Sequence, residues 1–307
     1  MADTGDQTTT PLALAARLYR VRPRVLAITA ILVFAALGWV YLGLMVAAAT
    51  QATHALGPGM GFIDLVSTGR VDAISRALFA ALCRPSFGEP AVDTAFGGWI
   101  ANVALTCLMW SAMAFAMMLP TAAPMILTYT DIAETAEDTR ERTVSPLVLA
   151  AGYMTVWLGF AVPATLLQHG LMRLALVDPG LVSASALFSG AIFIGAGAYQ
   201  FSPLKHACVA LCQRPFPYLL TNWSTEPAAV FRLGLRQGLY CLGCCWAMML
   251  VMFAVGVMNV VWMAIVGVIM AVEKLASTTR SSRAIGVGLV AVGAIFVASS
   301  IIAHWPS

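Results

Sequence analysis

The sequence predicts an all-α fold: a polytopic transmembrane helical bundle of seven spans, N-terminus in and C-terminus out. Three observations lead there. Charged residues make up 10% of the 307 residues, against a hydrophobic share of 60% and a mean hydropathy of +0.86. A soluble domain carries about 25% charged residues. Several apolar stretches outrun the roughly 18 residues that mark a bilayer crossing. And the Arg and Lys residues between those stretches fall unevenly on alternate sides.

The expected spans are about 25–50, 99–119, 146–168, 181–201, 237–256, 259–272 and 284–304. Residues 1–24 form a cytoplasmic tail, and 25–307 a single helical membrane domain. The first apolar run, Val25 to Thr50, follows Arg17, Arg20, Arg22 and Arg24. It is too long for a signal-peptide core of about 7–15 residues, so it is expected to remain as an anchor. The decision between six and seven spans turns on residues 237–272, which carry no charge between Arg236 and Glu273. One helix of that length would measure about 54 Å at about 1.5 Å per residue, against a hydrocarbon core of about 30 Å. Two spans with a turn near Gly256–Asn259 fit, because Gly and Asn suit tight turns.

The positive-inside rule supports that count. With the N-terminus inside, the inner segments hold 13 basic residues: Arg17, Arg20, Arg22, Arg24, Arg140, Arg142, Lys205, Arg214, Arg232, Arg236, Lys274, Arg280 and Arg283. The outer segments hold 4: Arg70, Arg76, Arg84 and Arg173. A single span over 237–272 would reduce the contrast to 10 against 7. The outer segment 51–98 repeats Ile63, Val66, Ile74, Leu78 and Leu82 at roughly helical spacing, which suits a helix lying on the outer surface. Asp131–Arg142, rich in both charge signs, reads as a solvated inner loop. The expected setting is the bacterial inner (cytoplasmic) membrane, with the lipid bilayer as one partner and no role for nucleic acid.

Chemistry concentrates in the cysteines. Cys83 and Cys107 stand apart. Cys208 and Cys212 follow span four, and Cys241, Cys244 and Cys245 open span five. All five are expected near the cytoplasmic face, where a reducing compartment disfavours structural disulfides. Cys208 and Cys212 are i and i+4, as are Cys241 and Cys245, while Cys241 and Cys244 are i and i+3. Each such pair shares a helix face. Adjacent Cys244 and Cys245 diverge by about 100°, so one is expected to face a metal and the other to pack. Lys205 is expected to favour thiolates nearby.

Met248, Met249 and Met252 continue the stripe, and Met113, Met117 and Met118 lie towards the same end of span two. Thiolate and thioether ligands select Cu(I), although Met also serves as plain packing. His206 is a candidate further ligand. The candidate metal ligands are thus Cys208, Cys212, Cys241, Cys244, Cys245, Met117, Met118, Met248, Met249 and His206. His54, His169 and His304, near outer span ends with Asp64, Asp93 and Asp178, could make an outer N/O site, but interfacial placement accounts for them. Glu273 is either a boundary marker or part of the inner site, and Gln200 either hydrogen-bonds across helices or orients a ligand. No GxxxxGK[ST] or HExxH motif occurs, so neither ATP coupling nor that zinc-protease chemistry is expected.

Five blocks carry a family resemblance: Trp110-Ser-Ala-Met113-Ala-Phe-Ala-Met117-Met118-Leu-Pro120; Gly152-Tyr153-Met-Thr-Val-Trp157; Gly197-Ala-Tyr199-Gln200-Phe-Ser-Pro203-Leu-Lys205; Cys208-Val-Ala-Leu-Cys212-Gln-Arg214-Pro215; and Gly238-Leu-Tyr240-Cys241-Leu-Gly243-Cys244-Cys245-Trp246-Ala-Met248-Met249. Together with Gly256–Met263 and Glu273-Lys274, they resemble the bacterial predicted metal-binding integral membrane proteins, a domain-of-unknown-function family, over about residues 99–283. The resemblance implies metal binding and suggests copper handling. The expected function is therefore a membrane protein that binds Cu(I) for delivery, chaperoning or transport, with a soluble or membrane protein partner. The alternatives are the membrane subunit of a copper-dependent oxidase or oxygenase, a dithiol relay through Cys241 and Cys244, and a scaffold whose sulfurs only pack.

Overall fold

The structure is a computed structural model that describes residues 23–52, 97–138, 143–177, 185–276 and 280–303. Within them the chain is helical. The elements are α1 (Pro23–Ala52), α2 (Gly97–Met113), α3 (Ala123–Asp138), α4 (Pro146–Arg173), α5 (Ala186–Tyr199), α6 (Pro203–Gln213), α7 (Pro215–Thr221), α8 (Pro227–Val255), α9 (Val260–Leu275) and α10 (Arg280–Ala303). α2 runs on through a π-helical turn, Ala114–Met118, and a last helical turn, Leu119–Thr121.

Five of these helices are long and apolar enough to cross a membrane: Pro23–Val46, Gly98–Thr121, Pro146–Arg173, Pro227–Val255 and Arg280–Ile302. α5 is a shorter apolar helix of 14 residues. α9 has 16 residues and ends in the charged pair Glu273-Lys274. Sequence-local signals set the boundaries. Ser145, Ser185 and Ser202 accept backbone N–H groups at the starts of α4, α5 and α6, and Asn259 does so for α9, each satisfying a donor that the first turn leaves free. Gly256, at φ 102°, makes the turn between α8 and α9, a conformation that a Cβ would oppose.

Two helix pairs approach backbone to backbone. A Cβ on Gly152 of α4 would lie 2.2 Å from the Phe231 carbonyl oxygen of α8, and one on Gly234 would lie 2.2 Å from that of Leu149. Gly238 faces Tyr153 and Val156. Residue numbers therefore climb together on both helices, so α4 and α8 run parallel. Gly190 faces Gly293 and Val297, whereas Gly197 faces Gly286 and Val290, so α5 and α10 run antiparallel. Small residues at such crossings allow the close approach that packing between apolar helices requires. α2 and α4 are also antiparallel, since Trp110 bonds Gln168 while Tyr153 bonds the Met118 carbonyl. One end of the bundle therefore collects Arg24, Thr121, Asp131, Cys212, Gln237, Lys274 and Ser282.

α8 is the central element and is buried over most of its second half. The lipid-like surface lies on α1 and α10, where Leu32, Val40, Ile295 and Ile302 are exposed.

Two expectations need correction. Asp131–Asp138 is not a solvated loop. It belongs to α3, whose inner face buries Ile126, Tyr129, Thr130 and Ala133, because apolar residues recur there at helical spacing. The Tyr129 hydroxyl donates to the Val144 carbonyl at 3.0 Å, and burial pushes its pKa up to about 12. The helix holding Cys241 begins at Pro227, ten residues before the expected span, so its thiols sit near its middle rather than at its start. The expected outer-surface helix, Cys83, His54 and His304 lie outside the described residues, as do Asp64, Asp93 and Asp178.

Candidate metal centre

Cys241, Cys244 and Cys245 are buried, at 1%, 1% and 0% exposure, and their sulfurs all lie within 4.8 Å of one another. The Cys244 and Cys245 sulfurs are 3.3 Å apart. Adjacent residues on a helix point about 100° apart, yet here both thiols turn to the same side, against the expectation that one would pack elsewhere. Thiolates around one metal ion, at bonds of about 2.3 Å as at zinc, stand roughly 4 Å apart. The three sulfurs, all within 4.8 Å of one another, stand near that spacing.

The surroundings are polar and charged. The Lys274 ammonium donates to the Cys241 sulfur at 3.0 Å and to the Thr121 hydroxyl at 2.6 Å. The Tyr153 hydroxyl lies 2.8 Å from the same sulfur and 3.2 Å from the Met118 carbonyl. That carbonyl also accepts from Thr121. It ends the π-helical turn that continues α2, and it also accepts the Ala122 N–H at 3.1 Å. Trp39 takes another carbonyl, the Ala116 oxygen, at 3.0 Å. A cation beside a thiol is the setting in which a thiolate, the metal-binding form, persists.

Lys205 is fully buried, yet its ammonium goes to Glu273 at 2.6 Å and to the Cys244 carbonyl. Its hydrogen bonds go to these two oxygens and not to a sulfur. Ser282 donates to the other Glu273 oxygen at 2.6 Å, and Gln213 donates to the Glu273 backbone carbonyl at 2.9 Å. Glu273 is thus neither an interfacial marker nor a sulfur neighbour. It neutralises Lys205 and fixes α6, α8, α9 and the start of α10 together.

The other expected ligands divide. The Cys212 thiol interacts with that of Cys244, so α6 does deliver one sulfur to the cluster. Cys208 instead packs against Gly243, where an added Cβ would stand 2.7 Å from its sulfur. Burial pushes the Cys208 thiol pKa up, and the opposing pull of Lys205 is the smaller effect. His206 is half-buried and its Nε2 has no hydrogen-bond partner; it is not one of the grouped ligands. Met117, Met118, Met248 and Met249 are all buried in the core. Met117 packs towards Gly267 of α9, and Met118 contributes its carbonyl. His169 is half-buried, and Gln200 is fully buried with both amide atoms unpartnered.

A family model described as PpoB2, copper chaperone, matches residues 107–296, more than half of the chain. The chain belongs to this copper-chaperone family. The match spans every element that builds the thiol cluster, and a Cys-rich site of this kind is consistent with copper, one of the metals that soft ligands take. No curated protein and no solved structure matches.

Sequence reading missed Tyr153, Thr121, Gln237 and the role of Lys274. The signal for Lys274 was present, as a lysine closing an apolar run, but its partner Cys241 is 33 residues away.

Proposed function

We propose that this protein is an integral membrane copper chaperone that holds one Cu(I) on Cys241, Cys244 and Cys245 and passes it to a partner protein. Seven crossings, with the N-terminus and the thiol end on the cytoplasmic side and the C-terminus outside, complete the reading. The inner membrane of a bacterium is its expected setting. The observation that carries it is the grouping of three buried thiols within 4.8 Å, with the Lys274 ammonium on one of them. Three soft sulfurs suit Cu(I), which accepts low coordination. The ammonium offsets part of the negative charge that three thiolates bring into an apolar interior. Cys212, at the edge of the cluster, serves as the exchange ligand during transfer. The alternating helix directions described above support the odd number of passes, with α5 and α9 as the two short ones.

The test is metal content. Protein purified in detergent and loaded with Cu(I) is expected to retain about one copper per chain. Cys241→Ser with Cys244→Ser is expected to abolish that retention while the far-ultraviolet helical signal persists. Copper content equal to wild type in the double variant overturns the site. Reporter fusions at both termini test the orientation, with the N-terminal reporter expected to be active only in the cytoplasm.

A further inference from the structure

Beside the thiols lies a cavity of about 120 Å³, lined by Thr121, Tyr153, Cys212, Gln237, Cys241 and Lys274. It reaches the surface near Leu275, which is 69% exposed. Two features separate it from a packing defect. Gln237 is 97% buried (3% exposed), and its amide nitrogen has no hydrogen-bond partner. A buried unpaired donor costs about 1–3 kcal/mol, so its persistence at a cavity wall calls for an acceptor there. The second feature is Lys274, whose ammonium meets two neutral or weakly acidic groups, Thr121 and Cys241, while the carboxylate of Glu273 is used by Lys205 and Ser282. Wall donors of this kind favour an anion. Cys241 and Cys212 on the lining favour one that bonds soft metal. The volume admits several waters or one slim side chain.

The geometry points to a docking port for an exogenous thiolate, the –CH2–S⁻ of the copper donor, which enters this cavity and shares the metal with Cys241 during transfer. The inference rests on the copper reading above. Lys274 and the Gln237 amide hold the donor sulfur while exchange proceeds. Each Cu–S bond formed to a protein sulfur replaces one to the donor. The proton given up by a protein thiol leaves on the released donor thiol, and copper stays Cu(I) throughout, so no oxidant or reductant is needed. Donor sulfurs come from small thiols or from a protein's cysteines, and the chemistry at the port is the same for both.

The experiment compares copper transfer rates into the full-length protein in detergent from three sources: Cu(I)–2-mercaptoethanol, Cu(I) on a short Cys-x-x-Cys peptide, and the Cu(I)–acetonitrile complex, which brings no thiolate. Gln237→Glu, which places a negative charge at the port, is expected to slow transfer from at least one thiolate source tenfold or more. Transfer from acetonitrile should change less than twofold, and final copper content should be unaltered. Gln237→Leu, which only removes the donor, is expected to slow the same source about threefold. The slowed source identifies a small thiol or a protein cysteine as the natural donor. Equal rates for wild type and both variants with both thiolates, or equal slowing from all three sources, overturn the port. Failure of wild type to take copper from any source is a different result, and it overturns the copper reading itself.

Discussion

The two ends of the bundle bury polar groups in different ways. At the end where α8 turns into α9, the buried polar side chains are neutral. Ser189 donates to the Ala254 carbonyl at 3.0 Å, Trp110 donates to Gln168 at 2.8 Å, and Asn259 accepts the Trp262 N–H at 3.2 Å. Each satisfies a local backbone or side-chain demand, and each would be at home in any apolar bundle. At the thiol end, the buried set includes Lys205, Glu273 and Lys274, the three charged side chains buried among the described residues. Two are paired with each other. The third, Lys274, faces a sulfur. Isolated charges are costly in apolar surroundings, so an excess ammonium at one end marks a place built for negative charge.

Three substitutions can break or sharpen that contrast. Lys205→Met has the largest expected effect. It strands the Glu273 carboxylate, and breaking a buried pair from one side costs about 3–5 kcal/mol. Thermal unfolding in detergent should show the loss, together with reduced copper retention, because Lys205 also holds the Cys244 carbonyl. A variant as stable as wild type would mean that the pair is not buried in the protein. Gly234→Ala comes next. Its methyl group would meet the Leu149 carbonyl of α4, and overpacking of this kind costs about 1–3 kcal/mol. Wedging α4 away from α8 also draws Tyr153 off Cys241, so copper affinity should fall along with stability. Asn259→Ala is the mildest. Losing the N-cap of α9 costs typically about 1 kcal/mol, and copper content should be unchanged. If that neutral-end variant lost copper as completely as a thiol variant, the division between the two ends would fail.

Much of the candidate site was legible from spacing alone. Cys241 shares a helix face with Cys244 and with Cys245 because 3.6 residues make a turn, but spacing argued for only one of the adjacent pair at the site, whereas the structure groups both with Cys241. Cys208 and Cys212 were equally well spaced, yet only Cys212 joins the cluster. Spacing fixes which residues share a face of α6 but not how far each side chain lies from the neighbouring helix, and Gly243 leaves just enough room for Cys208 to pack. The methionines that the spacing offers as candidate ligands are buried, and burial does not distinguish a ligand from a packing residue. The charge-rich run in α3 misled because its acidic and polar residues cover the outer face of a helix whose inner face is apolar.

The sequence by itself determined that this chain is helical, that its helices are apolar enough for a bilayer, and that one turn of α8 carries three thiols. Those properties depend on residues a few positions apart, where helix geometry dictates who meets whom. Only the tertiary structure decided that Lys274 sits on Cys241, that Lys205 is spent on Glu273, and that Gln237 faces a cavity without a partner. These contacts join residues 33 to 68 positions apart or depend on helices from across the chain. They were set by how separate helices pack, which spacing within one helix does not encode.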